Sequence, residues 1–225
     1  MKRYSIILLF ICFSANCYSQ INEIGVFLGV SNYVGDIGST SYLKPKDVGA
    51  GLMYKWNFNP RIAFRGTYTY MRIKGDDANS DNVVRQNRGL SFSNTINEFA
   101  LGIEFNFFEY DLSSTDKTYT PYILAGIAAY DYRTVKPSGT PGNFLFTRNT
   151  SIALPFGVGF KSKIYGKLAF AIEARVRYTF NDNLDYSTPD FPQLDYGGTG
   201  NDWYMFTGAS LIYTFGRPAC YSSRR

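Results

Sequence analysis

Seven ionisable side chains fall on stretches otherwise rich in glycine and alanine: Glu23, Arg65, Glu98, Glu104, Glu173, Arg175 and Arg177. Two nearby carboxyls, one protonated and one ionised, are the raw material of general acid–base and glycosidic chemistry. Glu98 with Glu104, or Glu23 with Glu173, could form such a pair. The same residues could instead pair with the arginines as a structural network inside a narrow fold. A second set, Asp76, Asp77 and Asp81, and then Asp182, Asp185, Asp190 and Asp195, offers clustered oxygens of the kind that hold Ca²⁺. Their spacing matches no EF-hand loop, and Asp and Asn are ordinary turn residues, so solvated loops are expected. The chain has no His, which excludes Ser-His-Asp and Cys-His nucleophile systems and His-ligated metals. Three Cys cannot build a four-thiolate zinc or iron–sulfur site. No catalytic, cofactor-binding or metal-binding constellation is therefore expected, and the protein reads as no enzyme.

The elements that must hold these residues are strands. Tyr and Phe number 19 each and Gly 21, a composition that favours β structure. Before them comes an export signal. Lys2 and Arg3 precede the apolar run Ile6 to Phe13, and Cys17-Tyr18-Ser19 places small residues before Gln20. This pattern predicts a signal peptide over 1–19, too short to span a membrane. Asn16 directly before Cys17 and Ile11 directly before Cys12 fit a lipoprotein site poorly. Cleavage would leave Cys220 alone, without an internal disulfide. It would also leave 21 Lys and Arg against 18 Asp and Glu, a net +3 too small and dispersed to point to nucleic acid.

Period-2 alternation then predicts eight strands: Glu23–Ser31, Val48–Phe58, Arg61–Arg72, Asn97–Phe107, Tyr119–Tyr132, Ser151–Lys161, Leu168–Phe180 and Trp203–Phe215. Their connections alternate in length. Val34–Asp47, Lys74–Ser93, Arg133–Thr150 and Asn181–Asp202 are long; Asn59-Pro60 and Ser162–Lys167 are short, and Phe108–Thr118 is intermediate. No linker divides the chain, so 20–216 is expected to be one domain with a tail at 217–225. Long loops at one end, with short turns and both termini at the other, are the layout of an outer-membrane barrel.

Alternation alone leaves the facing open. A soluble lipocalin-like barrel would turn its apolar face inward around a ligand. Here the opposite face carries Gly, Ala and isolated charges of both signs, which suit the narrow interior of an eight-stranded barrel if the charges pair. Tyr54, Trp56, Tyr68, Tyr70, Tyr178, Trp203 and Tyr213 lie near strand ends, where aromatic girdles meet the membrane interfaces. The fifth and eighth strands are apolar on both faces or alternate weakly, so their facing is open. The expectation is an all-β, eight-stranded antiparallel transmembrane up-and-down barrel of the cell outer membrane, in contact with lipid and too narrow to conduct.

The stretch Glu23-Ile24-Gly25-Val26-Phe27-Leu28-Gly29-Val30-Ser31-Asn32-Tyr33-Val34-Gly35-Asp36-Ile37 resembles the opening of the PorG-like family. Lys44-Pro45, Gly49 to Tyr54, Asn59-Pro60-Arg61, Asn97 to Ala100, Glu104 to Tyr110 and Thr120 to Gly126 are similar to later parts of it. That family comprises outer-membrane barrels of the Bacteroidetes type IX secretion system. The resemblance implies association with a periplasmic ring of a PorK-like lipoprotein and a PorN-like partner, and a supporting role in protein export and gliding motility. Tyr110, Asp111, Lys163 and Tyr165, in the short-turn connections, are the expected partner surface. The main alternative is a small general barrel of the OmpA or OmpW kind, serving envelope integrity or the passage of small hydrophobic solutes.

Overall fold

The computed structural model describes residues 21–39, 45–112, 118–138, 143–188, 194 and 200–216. The expected signal peptide at 1–19, all three Cys, the expected tail at 217–225, Asp190 and Asp195 lie outside these. Eight strands run in chain order: β1 Ile21–Val34, β2 Asp47–Asn59, β3 Ile62–Asp76, β4 Ser91–Asn106, β5 Tyr119–Pro137, β6 Phe144–Tyr165, β7 Leu168–Thr179 and β8 Trp203–Gly216. Each pairs antiparallel with the next, and β8 pairs with β1, closing the barrel. Closure satisfies every edge, which a strand needs in order to cross hydrocarbon. Among the described residues no helix is long and apolar enough to cross a membrane, which says nothing of strands.

Register fixes the tilt. The row Ile62–Phe105–Ile123–Val158–Ala174–Thr207–Val30–Val48 circles the barrel. Val48 precedes Gly49, whose partner is Met71, so the row returns to β3 beside Arg72. The shear is 10 residues (72 − 62), which tilts eight strands by roughly 40°.

The facing follows from the pleat. Ile24, Val26, Leu28, Leu52, Phe64, Phe99, Leu101, Ile103, Ile123, Ile127, Leu154, Phe156, Val158, Phe170, Ile172 and Leu211 are exposed on the outside. The intervening positions carry the charges and are buried. A lipocalin-like arrangement, apolar side inward, is thereby excluded. On β5, Ile123 and Ile127 point out while Tyr122, Tyr130 and Tyr132 are buried; on β8, Leu211 and Tyr213 point out while Tyr204, Phe206 and Ile212 are buried.

The turns have local causes. At the β2–β3 turn the Asn59 Oδ1 accepts from the N–H groups of Arg61 and Ile62, both at 2.8 Å, so the side chain closes the reversal. Strand β6 reaches Tyr165, leaving only Gly166 and Lys167 between it and β7, and Gly166 takes the φ of +54° that this tight turn requires. At the other end the strands run past the expected boundaries. Much of the expected Arg133–Thr150 loop is a β5–β6 hairpin, with residues paired from Tyr132–Asn149 to Pro137–Phe144. The connection after β3 holds a 3₁₀ turn, Asp77–Asn79, and a short helix, α1, Val83–Arg88. The α1 N-cap Asn82 accepts from the Val84 N–H, and Gly89 ends it at φ +66°.

Candidate functional site

The barrel interior gathers the charges that the pleat turns inward. Glu104 meets Lys161 at 2.5 Å, Lys55 at 2.7 Å and Arg65 at 3.4 Å. Arg65 also donates twice to Glu173, at 2.7 and 2.9 Å, in the parallel fork that suits a carboxylate. Glu173 further contacts Arg175 at 3.0 Å and accepts from the Tyr122 hydroxyl at 2.9 Å. Nearer the long-loop end, Glu98 takes two hydrogen bonds from Arg177, at 3.0 and 2.9 Å, and one from the Tyr204 hydroxyl at 2.8 Å. The Arg175 guanidinium lies over the rings of Phe27 and Phe206 at 4.7 and 4.9 Å. Burial of such charges is tolerable only because each meets a partner.

Six of the seven residues named from the sequence are thus linked. Glu23 is buried in the same interior, but its two oxygens have no hydrogen-bond partner among the described residues. Lys55 and Lys161 were missed as network members, although their parity, opposite Tyr54, Trp56 and Phe160, already placed them inside. The network brings Glu104 and Glu173 to the same guanidinium, Arg65, so their carboxylates serve to neutralise it. Small residues make room. A Cβ on Gly159 would stand 2.3 Å from Tyr122 Cζ, and one on Gly29 would stand 2.2 Å from the Thr207 carbonyl oxygen.

Both mouths are covered. At the short-turn end Tyr110 folds back beneath the network and its ring lies 4.5 Å from the Lys161 ammonium. Tyr110 and Lys163 were expected on an exposed partner surface. They are buried, 2% and 8% exposed, because the ring covers Lys161 and the ammonium of Lys163 reaches the Leu112 carbonyl. Asp111 is half-buried and Tyr165 is fully open at 84%.

At the long-loop end Ile37 and Leu184 pack with Tyr33, Met71, Ile73, Phe92, Ile96, Tyr130, Tyr132 and Tyr204 in an apolar plug. Three polar ties hold these loops. Asp77 accepts from Arg88 Nε at 2.8 Å and from the N–H groups of Gly38 at 2.8 Å and Leu90 at 3.2 Å. Burial opposes the ionised Asp77, but Arg88 and the two N–H groups outweigh it and hold the carboxyl below its ordinary range. Arg85 donates to the carbonyls of Gly35 and Gly38, clipping α1 to the first loop. Asp202 accepts from the Tyr33 hydroxyl and, at 2.9 Å, from the Leu184 N–H. Burial pushes Asp202 and Asp185 up, and the charges of neighbouring carboxylates add to it. Of the sequence-predicted acidic residues, Asp182 and Asp185 come together near Asp36 and Asp202, while Asp77 is tied to Arg88. Among the described residues no group of His, Cys, Asp or Glu side chains is arranged to hold a metal ion.

An eight-stranded closed ring with an apolar outside, a charged and filled inside, and loops of unequal length defines the class of outer-membrane β-barrels. The chain belongs to the family described as Domain of unknown function (DUF6089), whose model matches residues 2–224. Among curated proteins nothing matches. Among solved structures, the N-terminal barrel domain of Pseudomonas aeruginosa OprF is similar at 10% identity and TM-score 0.47, over 88% of this chain and 98% of that one. Neisserial surface protein A is similar at 13% and 0.46, over 87% and 96%. Ail of Yersinia pestis, solved with the heparin analogue sucrose octasulfate, is similar at 16% and 0.44, over 87% and 99%. None of these likenesses bears on what this chain binds.

Proposed function

We propose that this protein is a closed, non-enzymatic barrel of the outer membrane that acts through its two ends, as a general envelope barrel. The observation that carries this is the filled interior: Glu104, Glu173 and Glu98 are saturated by five cations, and Tyr110 and the Leu184 plug close the mouths. Among the described residues both mouths are covered and every strand is paired on both sides, which favours a barrel closed to ions and hydrophobic solutes. Fractionation with outer membranes, heat-modifiable mobility and an absence of steady conductance in planar bilayers are expected. A stable ohmic conductance from the folded protein would refute the closed interior.

A narrower reading, support of type IX secretion, rests on the resemblance of Glu23 to Ile37 to PorG-like barrels. Exposed apolar side chains at the short-turn end, Phe108, Ile164 and Tyr165, favour a partner there. With Asp111 they form the surface that a PorK-like lipoprotein or PorN-like partner would meet. Isolation in mild detergent under conditions that keep rings intact tests it. Co-recovery that is lost in Tyr165→Ala supports the reading, and recovery of the barrel alone refutes it.

A further inference from the structure

The outside of the barrel is uneven in charge. On β1, β2, β4, β7 and β8 no Lys or Arg points outward; Lys55, Arg175 and Arg177 on these strands are buried. Below the hairpin tips, the outward basic side chains are Arg72 and Lys74 on β3, Arg133 on β5 and Arg148 on β6, all at the long-loop end. Across the barrel the outward residues at that end are aromatic: Tyr178, Phe180 and Trp203.

The register aligns the arginines. Arg72 pairs with Thr95, and Arg133 with Arg148. Asn97 pairs with Asp131, which puts Thr95 opposite Arg133 and all four residues on one row. Strands about 4.8 Å apart and tilted by roughly 40° make such a row climb about 3 Å per strand towards the long loops. Arg72 stands about 5 Å beyond Tyr70, at the edge of the apolar band, and Arg133 lies about 6 Å and Arg148 about 9 Å above the level of Arg72. The polar headgroup layer is about 5–7 Å deep on each side of the hydrocarbon. An arginine side chain reaches a comparable distance along its stem.

Local carboxylates neutralise only part of the row. Asp131 pairs with Arg148, and Asp47 with Lys74 at 2.9 Å. Arg72 and Arg133 have no ion pair among the described residues and are both exposed. We propose that Arg72 and Arg133, flanked by the ion-paired Arg148, form a docking surface for the phosphate headgroups of anionic lipids in the outer leaflet, on the β3–β6 side of the barrel only. Guanidinium forks match phosphate oxygens two at a time, and the low-dielectric bilayer edge strengthens each contact. The proposal rests on the membrane-spanning reading above.

Full-length mature protein is folded into nanodiscs of phosphatidylcholine with a minor fraction of phosphatidic acid, and retained lipid is counted by native mass spectrometry. Heat-modifiable mobility is checked first; a protein that does not insert overturns the membrane reading rather than this one. The wild type is expected to retain phosphatidic acid over phosphatidylcholine. Arg133→Gln should lower that preference by about fivefold and Arg72→Gln/Arg133→Gln by about 25-fold. Lys136→Gln, three residues further from the hydrocarbon, should change it by less than about twofold, because the field falls off within a Debye length. Equal retention by wild type and the double variant, equal retention of the two lipids, or equal loss in Lys136→Gln would overturn it. So would binding of soluble dextran sulfate without any preference for phosphatidic acid.

Discussion

Removal of both partners of the Glu98–Arg177 pair should destabilise the barrel by much less than the sum of the two single removals. The two side chains are fully buried and joined by two hydrogen bonds, and Glu98 also accepts from Tyr204. In Glu98→Ala the Arg177 guanidinium remains fully buried without its ion-pair partner, beside the rings of Tyr204 and Phe206. An uncompensated buried charge of this kind costs about 3–5 kcal/mol. Arg177→Met leaves Glu98 without an ion-pair partner, holding the hydroxyls of Tyr204 and Thr69 with Arg175 further off, and should cost a similar amount. In the double variant neither charge remains and Met fills part of the space, so the loss should fall well below the sum. The expected coupling is at least about 2 kcal/mol, within the range for residues in one buried network. Urea titrations of barrel folding into micelles, followed by gel mobility and tryptophan fluorescence, measure the cycle. Additive losses, or single losses below about 1 kcal/mol, would show that the pair is hydrated and would refute a dry, packed interior.

Further outcomes follow from other contacts. Gly159→Ala brings a methyl 2.3 Å from Tyr122 Cζ and should cost about 1–3 kcal/mol by overpacking, whereas Gly66→Ala, with Leu101 at 3.6 Å, should be near neutral in the same titration. Asp202 and Asp185 ionise above the ordinary carboxylate range, so they favour the folded loop fully below about pH 4 and progressively less as pH rises through their native values. Asp36 and Asp182 face this pair, Arg88 acts on Asp185 only from a distance, and among the described residues no salt bridge reaches either carboxyl, so proteolysis within 181–188 should accelerate from acid to neutral pH; Asp202→Asn should flatten the change. Asp77 behaves oppositely, because its carboxyl lies low and its tie to Arg88 is lost as pH falls through that native value. Asp77→Asn should therefore expose the first and second loops to protease at neutral pH without altering barrel mobility.

The strand count and the facing of six strands could be read from alternation, since runs such as Leu168 to Phe180 permit one register against lipid. The fifth strand resisted because Tyr122, Tyr130 and Tyr132 look apolar yet are used for their hydroxyls, with Glu173, Asn181 and Asn183 as partners. The eighth resisted for the same reason at Tyr204. The strand ends at the long-loop side were hidden because β3 to β6 continue past the bilayer, where Arg72, Lys74, Ser93 and Arg148 carry no apolar signal. Lys55 and Lys161 could have been read as interior by parity. The inward fold of Tyr110 could not, because it depends on the ammonium of Lys161, which is remote in sequence.

The central claim is that the apolar face looks at lipid and the charged face is sealed. A single-cysteine scan along Leu168–Thr179 in a Cys220→Ser background, each site carrying a small fluorophore, tests it against a nitroxide quencher on the lipid chains. Quenching at 168, 170, 172, 174, 176 and 178, and none at 169, 171, 173, 175 and 177, is expected. Quenching without that alternation, or with the two sets exchanged, would contradict the account.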